Sequence, residues 1–217
     1  TELCKKIADN YECEIIDVLT GFKFIGEQIT KLEEKGEENR FVFGMEESYG
    51  YLGGSYVRDK DAVIASMLIC EMAAFYKEKG LLLTDVLEGL YKKYGYYFCS
   101  QKSFTCEGES GMKQIDGIME ALRNNIPKSI ADEKVVRADD YEKSLSFNLE
   151  NGEKSKIELP ISNVLCYILA DGSSLIVRPS GTEPKIKIYL SAVGKTEKDA
   201  EYKRKALEKS GTELLGF

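Results

Sequence analysis

The sequence predicts an α/β region, in which helices cover a mixed sheet, followed by an α+β domain built on an antiparallel sheet with helices. In residues 1–97, apolar strand-like segments alternate with helical segments, which is typical of an α/β layer arrangement. In residues 98–217, strand-like segments follow one another, and Asn151-Gly152 and Asp171-Gly172 are strong hairpin turns because both dipeptides tolerate positive φ. We therefore expect two domains, residues 1–97 and residues 98–217.

Apolar periodicity places the elements of the first domain. Phe22, Ile25, Ile29 and Leu32 recur at helical spacing and predict one buried face of a helix. Apolar, β-branched runs predict short buried strands. The expected helices cover residues 2–9, 22–35, 61–79 and 84–94, and the expected strands cover residues 13–18 and 41–45. A loop rich in Gly and Tyr fills residues 46–60.

The second domain is predicted from alternating apolar and polar residues. A helix is expected to begin after Ser110. It ends before Ile126-Pro127, because proline does not continue a helix. A final amphipathic helix covers residues 197–215. The expected strands cover residues 98–106, 134–138, 145–149, 164–169, 175–177 and 186–193.

Composition and charge limit the classes of partner. The chain has 43% apolar and 31% charged residues, which is ordinary for a globular protein. No apolar run approaches the roughly 20 residues that span a bilayer, so no membrane partner is expected. The net charge of −7 argues against nucleic-acid binding. Residues 151–217 hold 11 basic and 9 acidic residues, and this mildly basic segment suits a small anionic ligand.

Cysteine and histidine usage limits the chemistry. The six cysteines include no CxxC pair, so we expect reduced, mostly buried thiols of a cytoplasmic protein. The sequence contains no histidine, which excludes histidine-based triads and histidine-ligated metals within this chain. Asp139-Asp140 and the pair Asp59 and Asp61 are the nearest acidic clusters, and neither has the spacing of a metal loop. No metal ligand is therefore expected here.

The segment 178–184 is a candidate anion-binding loop between two strands. Gly181 lets the backbone turn so that successive N–H groups can point inward as an anion nest. Ser180 and Thr182 add hydroxyl donors, and Arg178 offers a planar fork matched to phosphate oxygens. Lys187 extends the basic character into the next strand. On chemistry alone, a plain hairpin with a polar tip is the favoured interpretation.

A second candidate loop follows the predicted strand at residues 41–45. Glu46 and Ser48 stand two residues apart, so both can face one ligand if the loop is extended. A carboxylate accepts hydrogen bonds from vicinal sugar hydroxyls, whereas a hydroxyl both donates and accepts. Glu47 is assigned a secondary role. On composition alone, a loop with two solvated acids explains the same residues.

The two loops together resemble the α-D-phosphohexomutase family, of the phosphoglucomutase and phosphomannomutase type. Arg-Pro-Ser-Gly-Thr-Glu-Pro at 178–184 resembles its phosphate-binding loop, which implies phosphate contacts from Arg178, Ser180, Gly181 and Thr182, assisted by Lys187. Gly-Met-Glu-Glu-Ser at 44–48 resembles its sugar-binding loop, which implies sugar contacts from Glu46 and Ser48. Two further segments, Thr-Gly-Phe-Lys at 20–23 and Arg-Asp-Lys-Asp at 58–61, imply contacts from Thr20, Gly21 and Lys60.

The resemblance covers the family's third domain, without its first strand, and its fourth domain. It implies a parent enzyme that interconverts glucose 1-phosphate and glucose 6-phosphate through a phosphoserine, with glucose 1,6-bisphosphate as intermediate and Mg²⁺ as cofactor. The serine loop and the Mg²⁺ loop are not found in this sequence. The partners implied are a hexose phosphate and the missing N-terminal domains, and no catalytic residue is assigned here. We therefore expect this chain alone to be inactive.

Several alternatives stay open at this point. The Glu-Glu-Ser-Tyr-Gly-Tyr form of the sugar loop favours a glucose-type member, but phosphomannomutase, phosphoglucosamine mutase and phosphopentomutase are close rivals. A sugar-phosphate-binding module without chemistry is a candidate from another class. The third alternative is a structural α/β protein whose loops bind nothing.

Overall fold

The computed structural model describes residues 1–46, 49–106, 110–181 and 183–217. In chain order, its helices are α1 (Glu2–Asn10), α2 (Phe22–Glu33), α3 (Ala62–Glu78), α4 (Leu83–Tyr94), α5 (Gly111–Asn124) and α6 (Glu197–Leu214). Its strands are β1 (Phe43–Glu46), β2 (Gly50–Gly53), β3 (Tyr96–Thr105), β4 (Ser129–Ile130), β5 (Glu133–Asp140), β6 (Leu145–Asn148), β7 (Lys154–Lys156), β8 (Leu165–Leu169), β9 (Ser174–Pro179) and β10 (Lys185–Gly194). A 3-10 turn covers Glu38–Arg40. No helix among these is long and apolar enough to cross a membrane.

The chain divides into two compact units. The smaller unit is Ile15–Leu90, and the larger unit combines Thr1–Glu14 with Tyr91–Phe217. The combination of helices with antiparallel sheets confirms the predicted fold class. The domain boundary near residue 97 stays a prediction, since the two units divide the chain at other points.

The smaller unit is held by a small apolar core. Phe22, Ile29 and Leu52 are buried in it, and Ile25 and Phe41 pack against them at its margin. Three of the four residues predicted for the buried face of α2 therefore contact the core, whereas Leu32 is only partly buried and is not part of it. β1 and β2 form a two-stranded antiparallel sheet in this part of the chain, in place of the expected mixed sheet. β2 was not predicted, because its four residues include two glycines.

The strand expected at residues 13–18 is wrong. Residues 13–19 adopt neither helix nor strand, and Ile15 and Ile16 are exposed. An extended segment becomes a strand only when a neighbour pairs with its backbone groups. No described strand pairs with this segment, so its β-branched composition is not sufficient.

Helix α3 begins at a strong cap. The Asp61 carboxylate accepts hydrogen bonds from the N–H groups of Val63 and Ile64, at 2.8 and 3.2 Å. None of the residues of α3 is buried, although the helix is apolar on every side. Its exposed apolar residues are Val63, Met67, Leu68, Ile69, Met72 and Phe75.

The larger unit is built on one antiparallel sheet in the order β3-β10-β9-β8-β5-β6-β7, and β4 pairs with β5. Its two longest strands, β3 and β10, pair over their full length. Alternate residues of β10, from Ile186 to Gly194, are buried, which confirms the predicted period of two. The core beneath this face contains Ile115 and Met119 of α5 and Leu207 of α6.

Both predicted hairpin turns are confirmed. Gly152 has φ 75° between β6 and β7, and Gly172 has φ 86° between β8 and β9. Residues with a Cβ rarely adopt these angles, so the glycines are required by the turns.

The expectation for the cysteines is only partly correct. All six are thiols rather than disulfides, but only Cys106 and Cys166 are buried. Cys13, Cys70 and Cys99 are exposed. The absence of a CxxC pair therefore did not predict burial of the thiols.

Candidate functional site

Arg178 and Lys187 occupy neighbouring strands of the larger unit. Arg178 lies in β9 directly opposite Lys187 in β10, so both side chains project from the same face of the sheet. On the other face, Val177, Ile186 and Ile188 are fully buried and hold the two strands in place. The register that positions the two cations is therefore set by the core.

Among the residues that the structure describes, no acidic side chain neutralises these two cations. Within residues 1–46, 49–106, 110–181 and 183–217, neither Arg178 nor Lys187 has an ion-pair partner or a side-chain hydrogen bond. Both side chains are only partly exposed. Two uncompensated cations side by side attract a dianion such as a phosphate group.

Backbone hydrogen bonds of Ser180 and Lys185 close the end of this strand pair. The Ser180 N–H donates to the Lys185 carbonyl oxygen, and the Lys185 N–H donates to the Glu183 carbonyl oxygen, each at 2.7 Å. The Ser180 amide is therefore already engaged and does not belong to an anion nest, contrary to the expectation. The Ser180 hydroxyl and the Gly181 N–H have no partner among the described residues.

Gly181 is not needed for the turn itself, contrary to the expectation. Its φ is not positive, so the turn itself does not require a glycine there. A Cβ placed on Gly181 would meet nothing within 4 Å, and the residue is exposed. The glycine therefore leaves open space at the tip of the loop, where a ligand can approach the backbone closely. Thr182 lies outside the described residues.

Glu46 and Lys60 meet in the smaller unit. The Glu46 Oε1 lies 3.9 Å from the Lys60 Nζ, and the Glu46 side chain is only 13% exposed. The Lys60 Nζ also lies 5.4 Å from the centroid of the Phe22 ring. A hydrogen bond to Asp59 raises the pKa of Lys60, and the Glu46 charge adds to this effect. The structure thus brings together Glu46, Lys60 and the beginning of α2.

Thr20 and Gly21 stand at the N-terminus of α2, immediately before Phe22. Gly21 is the N-cap residue of the helix, with φ 123°, a conformation that side-chain-bearing residues rarely adopt. Thr20 is exposed. Their contacts with a sugar stay a prediction. Ser48, together with Glu47, lies outside the described residues.

Gly50 is a site residue that sequence reasoning missed. It is the antiparallel partner of Glu46 across β1 and β2. A Cβ on Gly50 would lie 2.7 Å from the Lys60 Cδ and 2.8 Å from the Glu46 Oε1, which is too close for either contact. The absent side chain therefore makes room for both functional groups. A glycine inside a strand was the available signal, because it often marks a close approach.

Arg58 anchors the segment that carries Lys60. Its guanidinium Nη2 lies 2.7 Å from the Glu33 Oε2, and its Nε donates to the Thr30 Oγ1 at 3.4 Å. Both partners belong to α2. A Cβ on Gly26 of the same helix would lie 2.7 Å from the Arg58 carbonyl oxygen, so that glycine permits the close approach. The sequence indicated no such role for Arg58.

The part of the chain that the structure describes contains no recognisable metal site. No group of three or more Cys, Asp and Glu side chains is placed there to hold an ion. No chemical step is therefore assigned to a metal held by the described residues.

Comparison with known families matches both halves of the chain. Residues 1–94 match the model of the phosphoglucomutase/phosphomannomutase α/β/α domain III, and residues 106–209 match the model of the C-terminal domain of the same family. The chain belongs to the phosphoglucomutase/phosphomannomutase family. The residues that carried the resemblance lie within the matched ranges.

Relatives of known name give the same assignment. The chain is 40% identical to the phosphoglucomutase of Staphylococcus haemolyticus over 190 residues, and 41% identical to that of Staphylococcus aureus strain MRSA252 over 191 residues. Each alignment covers 88% of this chain and 34% of the relative. The chain therefore spans about a third of the length of these members of the phosphoglucomutase/phosphomannomutase family.

A solved structure shares the fold. The open form of the exocytosis-sensitive phosphoprotein pp63/parafusin, a phosphoglucomutase of Paramecium, is similar with a TM-score of 0.70 and 20% identity. The similarity covers 99% of this chain and 36% of that one. At this identity, the likeness supports the fold only.

Proposed function

We propose that these residues belong to a phosphoglucomutase that interconverts glucose 1-phosphate and glucose 6-phosphate. The observation that carries the proposal is the pair Arg178 and Lys187, two neighbouring cations without a described acidic partner. Two relatives named phosphoglucomutase, at about 40% identity, favour glucose over the other sugars of the family. Phosphomannomutase is the second candidate, because the family models carry both names.

The part played by this chain is to bind and orient the ligand. Arg178 and Lys187 hold the phosphate that is not being transferred, and the hydroxyls of Ser180 and Thr182 donate further hydrogen bonds. Glu46 accepts hydrogen bonds from sugar hydroxyls, and Lys60 fixes the position of its carboxylate at 3.9 Å. Ser48, Thr20 and the Gly21 backbone complete the sugar contacts in this proposal. Fixed donors and acceptors lower the barrier by orientation.

The transfer step is assigned to other parts of the parent protein. We propose that its N-terminal domains supply the phosphoserine and the ligands of Mg²⁺, which stabilises the charge of the transferring phosphoryl group. Glucose 1,6-bisphosphate is the proposed intermediate, and it must turn round between the two transfers. The six thiols are consistent with a cytoplasmic protein.

Titration of the chain with glucose 1-phosphate tests this proposal. We expect weak, about millimolar binding, because much of the ligand stays exposed and the loops must be ordered. Arg178→Ala should weaken binding at least tenfold, since a charge-assisted pair of hydrogen bonds is lost. Lys195→Ala is the matched control, because it removes one positive charge just beyond the other end of β10.

Three outcomes separate the candidate functions. Equal affinity of the wild-type and Arg178→Ala chains, or no binding by either, favours a structural protein. Binding with mutase turnover by the chain alone contradicts the assignment of the chemistry to other domains. A tenfold higher specificity of the full-length parent for mannose 1-phosphate contradicts the choice of glucose.

A further inference from the structure

A polar cavity lies beside Lys187, between β3 and β10. Its volume is about 270 Å³. Because Gln101, Ser103 and Glu183 are exposed, the cavity is open to solvent on one side. The residues that line it are Gln101, Lys102, Ser103, Glu183, Lys185 and Lys187.

Lys187 stands between this cavity and the candidate phosphate site. In the sheet, Ser103 of β3 lies directly opposite Lys187 on one side, and Arg178 of β9 lies opposite it on the other. Paired residues of antiparallel strands project from the same face. The three side chains therefore form a row, in which Lys187 is common to both sites.

The charges of the lining residues are largely satisfied. The Lys185 Nζ lies 3.0 Å from the Glu183 Oε1, and the Lys102 Nζ lies 3.5 Å from the Glu208 Oε1. Lys187 is then the one lining cation without an acidic partner in the described residues. The cavity has room for one anionic group at Lys187, because its other two lysines, Lys102 and Lys185, already have acidic partners.

Its neutral groups favour hydroxyls. The Ser103 hydroxyl both donates and accepts, and the Gln101 amide offers two donors and one acceptor oxygen. The Glu183 carboxylate accepts hydrogen bonds but repels a second anion. Both Ser103 and Gln101 are exposed and have no hydrogen-bond partner from a described side chain. The set fits a ligand with one phosphate and several hydroxyls.

We propose that this cavity is a subsite for the part of the sugar next to the phosphate, with Ser103 and Gln101 as ligand-binding residues. The proposal rests on the proposed function and deepens it. The phosphate is held by Arg178 and Lys187, and the adjacent hydroxyls extend past Lys187 towards β3. Neither β3 residue belongs to a motif singled out from the sequence.

Two ligands test the proposal, one that carries sugar hydroxyls and one that lacks them. The chain and its variants are titrated with glucose 1-phosphate and with inorganic phosphate, and the dissociation constants are measured from amide chemical shifts. Ser103→Ala and Gln101→Ala should each weaken glucose 1-phosphate binding about three- to tenfold, as expected for one lost hydrogen bond. Binding of inorganic phosphate should stay within twofold of the wild type.

Thr105→Ala is the matched control. Thr105 lies on the same face of β3 as Ser103 and is exposed, but it does not line the cavity. This variant should leave both affinities unchanged. The same amide spectra verify that each variant is folded.

The outcomes distinguish the two proposals. If both β3 variants bind glucose 1-phosphate like the wild type, the subsite is wrong while the phosphate site stands. The subsite is also wrong if both ligands are weakened equally, because the cavity then acts on the anion alone. If Arg178→Ala binds both ligands normally, or the wild type binds neither, the proposed function itself fails.

Discussion

Lys187 lies directly opposite Arg178 on one face of the sheet, and no acidic side chain in the described residues neutralises either. Like charges in opposite positions of adjacent strands destabilise a sheet. The pair is therefore unfavourable for folding and favourable for anion binding. Stability and function make opposite demands on the same residues.

Replacing Lys187 should separate the two effects. Lys187→Gln is expected to raise the free energy of unfolding by about 0.2–1 kcal/mol, because the repulsion is relieved. The same change should weaken phosphate binding at least severalfold. Urea unfolding and phosphate titration measure the two effects. Lys185→Gln is the control, since it breaks the ion pair with Glu183 and should not stabilise the fold. A loss of stability in Lys187→Gln contradicts this account.

Gly50→Ala should disturb the sugar site. The new Cβ would collide with the Lys60 Cδ and the Glu46 Oε1, so both side chains must leave their positions. We expect a loss of about 1–3 kcal/mol in unfolding free energy, and a lower affinity for glucose 1-phosphate than the wild type. Calorimetry measures both quantities.

Gly89→Ala is the control for this experiment. Gly89 lies in α4, and a Cβ there meets nothing within 4 Å. The Gly89→Ala change should therefore leave the free energy of unfolding unchanged or raise it by up to about 1 kcal/mol. Equal behaviour of the two alanine variants would show that the crowding at Gly50 has no consequence.

The fold should become less stable at alkaline pH. Burial raises the pKa of Cys166 from 9.0 to about 12, and burial likewise raises the pKa of Tyr167. A raised pKa in the folded state means that stability is intact below the unfolded pKa. It is lost as the pH rises from about 9 to about 12.

Thermal melts between pH 8 and pH 11.5 check this effect. Cys166→Ala, compared with the wild type across the series, should show a smaller loss of melting temperature per pH unit.

At pH 8, Cys99 and Cys13 should react with iodoacetamide while Cys166 stays unmodified, because the thiolate is the reactive form. Rapid alkylation of Cys166 in the folded protein would refute the burial argument.

Asp171 should stabilise the larger unit near neutral pH. Burial alone would raise its pKa, but hydrogen bonds from Lys203 and Ser173 outweigh burial and lower it below 3.8. A lowered pKa contributes stability above the unfolded pKa, and this contribution is lost as the pH falls below about 4. The Lys203 Nζ lies 2.7 Å from the Asp171 Oδ2.

Asp171→Asn tests this contribution. It should lower the unfolding free energy at pH 7 by about 1–2 kcal/mol, and the difference from the wild type should shrink below pH 4. Glu213→Gln is the control, because its pair with Lys209 is exposed and should contribute almost nothing. A constant difference at every pH would contradict the assigned ionisation.

Local signals predicted most of the larger unit. Asn151-Gly152 and Asp171-Gly172 set their turns through the positive φ of the glycines, independently of distant residues. Alternation from Ile186 onward predicted β10, because one face of that strand is buried and the other is not. The prediction failed where a strand needs a neighbouring strand to pair with. Residues 13–18 have strand composition, but none of the strands in the described part of the chain pairs with them.

The candidate site was predictable to a similar extent. The motifs indicated Arg178, Lys187, Glu46 and Lys60, and the structure brings the members of each pair together. The glycine at position 50 was a signal of a close approach, but the atoms that it makes room for were not predictable, because they depend on the register of two strands. The engaged Ser180 amide follows from the closure of its turn by Lys185, which composition does not reveal.

The larger unit is interrupted in sequence by the smaller one. Thr1–Glu14 belongs with Tyr91–Phe217, so the chain crosses between the units twice, near residues 14 and 90. Leu3 of α1 is buried, and the Asn10 Oδ1 accepts a hydrogen bond from the Lys93 Nζ at 2.9 Å. A protease cut in the smaller unit would consequently produce two polypeptides that copurify until a denaturant separates them. The smaller unit has the topology of an insertion, and a short linker in its place would test whether the remaining residues fold alone.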